Sequence, residues 1–238
     1  MSAMTQPGTV WLIPCYLEEN SMNCLPAYIL PAIQQCSVFF VENERTARRY
    51  LKKWWKEMVI DDYEWHAIGK VEAETLNIFR QRVSAGKTIG ILSEAGCPGV
   101  ADPGQLLVAA AQELSATVKP LVGPSSILLA LMASGMNGQQ FRFVGYLPID
   151  ALQRNKTIKE LEADSAKQQC TQVFIETPYR NHQLFSTLLQ QCRANTRLCV
   201  AVNLTAADES VVTKTISDWK KQPPDWHKKP AIFLLQAG

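Results

Sequence analysis

Residues 90–104 read GILSEAGCPGVADPG. Thr88, Ile89, Ile91 and Leu92 lead into this stretch, and LLVAAA follows it at 106–111. An apolar run, a turn-rich loop and a second apolar run predict a buried strand, a loop, and a helix opening near Pro103. Four glycines and two prolines in fifteen residues suit neither a continuing strand nor a helix interior. Gly96, Gly99 and Gly104 allow the backbone to run close to a bound group, and Pro98 and Pro103 stiffen the loop. Ser93 and Glu94 stand at the carboxyl end of the strand, where open α/β sheets place their ligands. Taken alone, the stretch is equally compatible with an ordinary βα connection.

The rest of the chain repeats the strand–turn–helix rhythm. Strands are predicted at 9–14, 38–41, 118–122, 141–146, 171–175, 197–204 and 230–238. Helices are predicted between Pro26 and Pro31, after Val41, over Glu72–Gly86 and Gln105–Ser115, after Ser126, and from Pro178 to Leu189. Residues 61–70 read as irregular. Alternating strands and helices predict an α/β protein. Its 238 residues allow one large or two small domains, and we place a boundary near residue 120, giving domains 1–120 and 121–238.

Composition narrows the function. Hydrophobic residues make up 47% and charged residues 19%, as in a globular enzyme. A net charge of +2 gives no strong electrostatic case for nucleic acid. The seven cysteines form no CxxC pair and are odd in number, which predicts free thiols in a cytoplasmic protein. His66, His182 and His227 are far apart in sequence, and no metal-ligand spacing is present, so no metal is expected. The N-terminus does not read as a signal peptide, and the most apolar stretch, 127–136, is too short to span a bilayer. The basic stretch at 45–53 places Arg45, Arg48 and Lys52 on one helical face. That face is either solvated or a substrate-facing rim.

Four motifs in order resemble the tetrapyrrole methylase superfamily, in its branch of small-subunit rRNA methyltransferases (ribose 2'-O-methyltransferases). SEAGCPGVADPG resembles that branch's SDAGTPGxSDPG. PLVGPSS (120–126) resembles PLPGPSA, FRFVGYLP (141–148) resembles FxFxGFLP, and FIETPYR (174–180) resembles FYESPxR. The resemblance implies two α/β domains with S-adenosyl-L-methionine in a cleft between them, a homodimer, and methyl transfer to ribosomal RNA, with a tetrapyrrole or other small acceptor as the alternative. A non-catalytic relative that binds the donor or an RNA is a further alternative. The implied cofactor contacts are Pro14, Ser93, Glu94, Ala95, Gly96, Ser125, Ser126, Glu176, Leu204, Pro230 and Ala231. Ser125 or Ser126 also suits a helix N-cap, and Glu176 suits an ion pair with Arg180. Arg45, Arg48 and Lys52 become the implied RNA contacts. No catalytic residue is identified; Glu94 or Glu209 could serve as a base toward a ribose hydroxyl.

The chain departs from the branch in several places. Where the branch has TPIGNL, this sequence has IPCYLEEN at 13–20, keeping Pro14 and losing the glycine. Asn43 and Glu44 differ from the branch's EDTRxTRxLL. Its basic stretch is reduced here to Arg154, Lys156 and Lys159 among acids, and Ala206 replaces the lysine of RELTK.

Overall fold

The computed structural model describes residues 6–69, 73–221, 226 and 228–238. The chain divides into two compact units, 1–125 and 126–238.

The first unit holds a five-stranded sheet of β1 (Thr9–Ile13), β2 (Val38–Val41), β3 (Glu64–Ala67), β4 (Ile89–Leu92) and β5 (Thr117–Pro120). The strands are all parallel, in the order β3-β2-β4-β1-β5. The VFFV of β2 shows why so short a run suffices. Phe39 and Val41 join a core on one face with Ile29, Ile33, Tyr50 and Leu51, and Val38 and Phe40 join a core on the other with Phe79, Val83, Leu107 and Ala110. Successive side chains of a strand point to opposite faces, so an unbroken apolar run marks a strand covered on both. The covering helices are α1 (Ile29–Gln35) and α2 (Glu44–Trp54) on one face, and α3 (Ala73–Ser84) and α4 (Gly104–Glu113) on the other. Fully burying one such phenylalanine contributes roughly 1.5–3 kcal/mol.

Several predicted boundaries move. Helix α1 runs through Pro31 instead of stopping there. Tyr28 is its N-cap, so Pro31 falls in the first turn, where the N–H has no intrahelical partner to lose. Residues 64–67, expected to be irregular, form β3, an edge strand whose one neighbour is β2. Its sequence, EWHA, alternates polar and apolar residues but over only four positions, too short a run to mark a strand by itself, and it is held by pairing and by Trp65 stacked on Phe39 at 4.9 Å. Val71 and Glu72, at the predicted start of α3, lie outside the described residues, as does His227.

The second unit is built on a mixed sheet of β6 (Phe141–Tyr146), β7 (Thr171–Glu176), β8 (Arg197–Val202), β9 (Ser210–Thr215) and β10 (Ala231–Gln236), in the order β6-β7-β10-β8-β9. Helices α6 (Ala151–Gln168) and α7 (Asn181–Gln191) and the short α8 (Ile216–Trp219) share one core with Phe174, Val200 and Phe233. Helix α5 (Ser126–Ser134) packs on β8, β9 and β10. The predicted strand 197–204 ends at Val202, because Asn203 and Thr205 take left-handed backbones with φ of 48° and 73°. Those residues turn the chain into β9, a strand absent from the sequence-based expectation.

Candidate active site

The connections after β1, β2, β4 and β5 leave the carboxyl edge of the parallel sheet, and hydrogen bonds tie them together. Cys15, just past β1, donates its N–H to the Gly96 carbonyl at 2.8 Å and accepts from the Gly96 N–H at 3.2 Å. Gly96 has φ of +73°, a conformation that L side chains rarely adopt. Pro14 is seated against Gly123 so closely that a Cβ there would stand 2.1 Å from the proline Cβ. The buried Tyr50 of α2 donates its hydroxyl to the Pro14 carbonyl at 2.5 Å. Tyr28 accepts the Val122 N–H at 2.6 Å. The missing glycine of the first loop therefore does not prevent it from closing on Gly96, because only backbone atoms of Cys15 are used.

Ser93, Glu94, Ala95 and Gly96 all lie at this edge, with Pro14. Ser93 is buried and donates its hydroxyl to the Ala95 carbonyl at 3.2 Å. Glu94 and Ala95 are exposed. The loop beyond is shaped by Asp102, which accepts the N–H groups of Gly99 at 2.8 Å and Gly104 at 2.7 Å. Burial pushes the Asp102 carboxyl up, and these amides hold it partly back.

A second carboxylate, Glu42, leaves the end of β2 and accepts the Glu94 N–H at 2.6 Å. Burial raises its pKa, the Glu94 amide opposes this, and the charges of Asp102 and Glu94 add to the rise. Burial likewise raises the thiols of Cys15 and Cys97, so neither is an activated nucleophile. Thr46, in the first turn of α2, donates its hydroxyl to Glu94 Oε1 at 3.0 Å. Asn43 caps that helix by accepting from the Arg45 and Thr46 amides at 3.0 and 3.2 Å, so the departure from the branch's aspartate keeps the cap. Between α2 and the β4 loop lies a small recess of about 20 Å³, lined by Cys15, Tyr16, Thr46, Tyr50, Ser93 and Glu94 among others.

The basic face of α2 is partly committed. Arg48 pairs with Glu44 at 2.6 Å and lies over the Trp65 ring at 5.0 Å. Lys52 donates to the Lys56 carbonyl at 2.7 Å. Arg45 is exposed, and among the described residues its guanidinium has no partner. Arg154, counted among the basic residues near 149–167, is buried and donates to the Ile149 carbonyl at 2.9 Å.

Glu176, Leu204, Glu209, Pro230 and Ala231 belong to the second unit and gather at one end of its sheet. Ala231 opens β10 opposite Glu176 of β7 and Val202 of β8. Asn203 donates its N–H to the Pro230 carbonyl at 3.0 Å, and Leu204 follows, buried. Glu176 Oε1 accepts from Thr177 N–H at 2.7 Å and from Arg180 at 3.0 and 2.7 Å, the ion pair that the sequence suggested. Glu209 Oε2 accepts the Thr205 N–H at 2.6 Å. Ser125 and Ser126 stand at the division between the units, Ser126 as the first residue of α5. Glu42, Thr46, Tyr50 and Asp102 were not among the predicted site residues. For Asp102 the signal was present: an aspartate before Pro-Gly readily accepts backbone amides of its own turn.

Residues 28–220 match the family described as Tetrapyrrole (Corrin/Porphyrin) Methylases. The ribosomal RNA small subunit methyltransferase I of Micromonospora olivasterospora is 28% identical over 211 residues, covering 89% of this chain and 64% of that protein. The protein of the same name from Vibrio cholerae is 29% identical over 170 residues, covering 70% of this chain and 57% of that one. The chain thus matches less than two thirds of the length of these relatives. Among solved structures, the methyltransferase CobJ superposes with a TM-score of 0.64 at 15% identity, covering 97% of this chain and 95% of that one. The cobalt precorrin-4 methyltransferase CbiF gives 0.58 at 14%, covering 96% and 94%. At such identity these two show the fold alone.

Proposed function

Because the chain belongs to the tetrapyrrole (corrin/porphyrin) methylase family, we propose that it is a methyltransferase that uses S-adenosyl-L-methionine and acts on ribosomal RNA. One observation carries the reading: the backbone clasp between Cys15 and Gly96, at the carboxyl edge of a parallel sheet, within the motif that resembles the family's donor loop. The name shared by its relatives supports the acceptor.

The edge fits a cationic donor. Glu42 and Glu94 lie there and, among the described residues, neither is in an ion pair. The positive φ of Gly96 and the tight seat of Gly123 on Pro14 keep the backbone of three connections close together. S-adenosyl-L-methionine supplies an electrophilic methyl on a sulfonium, which needs neither a metal nor a covalent enzyme intermediate. The work of this chain is to hold that methyl in line with a nucleophile and to exclude water. Ser93, Ala95, Gly96 and Pro14 are the donor contacts we assign in the first unit. Ser125 and Ser126 continue that set, and Glu176, Leu204, Pro230 and Ala231 form the second unit's share. Arg45, Arg48 and Lys52 face the RNA, with Arg45 the most available. A cytoplasmic homodimer completes the reading.

The commitment of Arg48, Lys52 and Arg154 to intramolecular partners favours a second reading, a small acceptor such as a tetrapyrrole. An assay with the tritiated donor, 30S ribosomal subunits and uroporphyrinogen III side by side separates the two. Label in 16S rRNA is the expected result; label in the tetrapyrrole alone overturns the RNA acceptor.

A further inference from the structure

We infer that Glu94 is the catalytic base of this site, acting on an acceptor hydroxyl seated in the recess between α2 and the β4 loop. This rests on the methyltransferase reading above and on the hydroxyl acceptor that the branch resemblance implies; what it adds is the residue that takes the proton.

The recess has a volume of about 20 Å³. That is room for one water, or for one hydroxyl group of a larger molecule whose remainder stays outside. Ser93 and Cys15 in its wall belong to the two connections that the clasp joins, so an oxygen held there lies beside the proposed donor edge.

The Glu94 side chain is exposed at the rim; one hydrogen bond orients the carboxylate and another holds the residue's backbone. Its Oε1 accepts from the Thr46 hydroxyl at 3.0 Å, and its own N–H is bound to Glu42 at 2.6 Å. Oε2 has no hydrogen-bond partner among the described residues, and no lysine or arginine there pairs with the group. It is therefore an oriented carboxylate with one uncommitted oxygen. The other acids of the candidate site do not meet these conditions. Asp102 spends both oxygens on loop amides, Glu176 is paired with Arg180, and neither Glu42 nor Glu209, whose Oε2 accepts the Thr205 amide, lines the recess.

In the step this geometry supports, Oε2 removes the hydroxyl proton as the acceptor oxygen bonds to the methyl carbon. The bond from that carbon to the donor sulfur breaks, and its electron pair stays on sulfur. The products are a methyl ether and a neutral thioether, and the protonated Glu94 returns its proton to water. Thr46 is a positioning residue: its hydroxyl stands 3.0 Å from both Glu94 Oε1 and the Asn43 carbonyl, and it acts on the step through Glu94.

The test uses the full chain with S-adenosylhomocysteine as the donor-site probe, read by calorimetry, and 30S subunits with tritiated donor for turnover. Glu94→Gln keeps the shape and removes the base. We expect kcat to fall by about 100-fold or more, the usual contribution of a general base, with an unchanged Kd for S-adenosylhomocysteine. Thr46→Val should lower kcat by about 3- to 10-fold, the worth of one hydrogen bond, and Thr46→Ser should restore it. Equal turnover of Glu94→Gln and wild type overturns the base alone. A raised Kd with kcat retained makes Glu94 a donor contact instead and also overturns it. If wild type binds the probe but methylates no hydroxyl, the hydroxyl acceptor and the base fall together. If wild type does not bind the probe, the methyltransferase reading itself fails.

Discussion

Gly96 shows how a single residue carries both structure and chemistry. Its φ of +73° lets its N–H and carbonyl both meet Cys15, and a Cβ there would stand 3.4 Å from Leu17 and from the Pro124 carbonyl. Space is adequate; conformation is not. A β-branched residue in the left-handed region costs at least about 1–2 kcal/mol, so Gly96→Val should lower thermal stability as well as abolish donor binding. Calorimetry with S-adenosylhomocysteine on the folded variant checks this, and unchanged affinity would remove Gly96 from the donor site. Away from the site, Glu64 gives a prediction in pH. Hydrogen bonds from Arg82, foremost, and from His66 hold its carboxyl below the usual carboxylate range. A depressed folded value means that its contribution is complete at neutral pH and is lost as pH falls through that value. Glu64→Gln should therefore lower the melting temperature at pH 7 and narrow the gap to wild type under strongly acidic conditions. A gap independent of pH would refute the linkage. Gly96 could be read from its motif, but Glu64 could not: its partner Arg82 lies on α3 and meets it only across the fold.

At the scale of the element, α2 reads in the sequence as a basic helix, and its cap and amphipathic pattern are legible there. What cannot be read is how its cations are spent. Spacing places Arg45, Arg48 and Lys52 on one face, but Arg48 is drawn to Glu44 one turn earlier and to Trp65 on the neighbouring β3. Lys52 folds onto the Lys56 carbonyl beyond the helix end. The three are thus unequal. Arg45→Glu should weaken 30S binding and lower the slope of log affinity against log salt by about 0.7–0.9 for each phosphate that is no longer neutralised. Arg48→Glu should instead lower the thermal stability of the first unit, because it sets two carboxylates one helical turn apart. A salt titration of 30S binding combined with thermal unfolding resolves these effects. Identical slopes for wild type and Arg45→Glu would show that the helix is not an RNA contact. Strand β3 teaches the converse. The alternation in EWHA spans only four residues, too few to announce a strand, and this edge strand is held by its neighbour's hydrogen bonds and by stacking on Phe39.

On the scale of the whole molecule, the two units are built on sheets of different type. The first is a parallel sheet covered on both faces, whose connections converge on one edge. The second is a mixed sheet whose hairpin β8–β9 turns through two left-handed residues. Within each unit, backbone and small residues supply most of the proposed donor contacts, and sulfonium transfer requires no Lewis acid. Among the described residues, no group of three His, Cys, Asp or Glu could hold a metal ion. Activity should accordingly be unchanged after exhaustive treatment with EDTA. Loss of turnover that a divalent ion restores would contradict the mechanism.

The sequence by itself determined the strand–loop–helix order, the loop at 93–96, the start of α5 and the family, because these depend on local periodicity, on glycine and proline, and on motifs contiguous in the chain. Tertiary structure alone decided which acids are free. Glu42 and Glu94 are 52 residues apart, and Thr46 and Glu94 are 48 apart. Their hydrogen bonds follow from parallel strands β2 and β4 lying side by side, which brings two loop ends to one edge. Pairing and burial are properties of that edge, and no spacing along the chain encodes them.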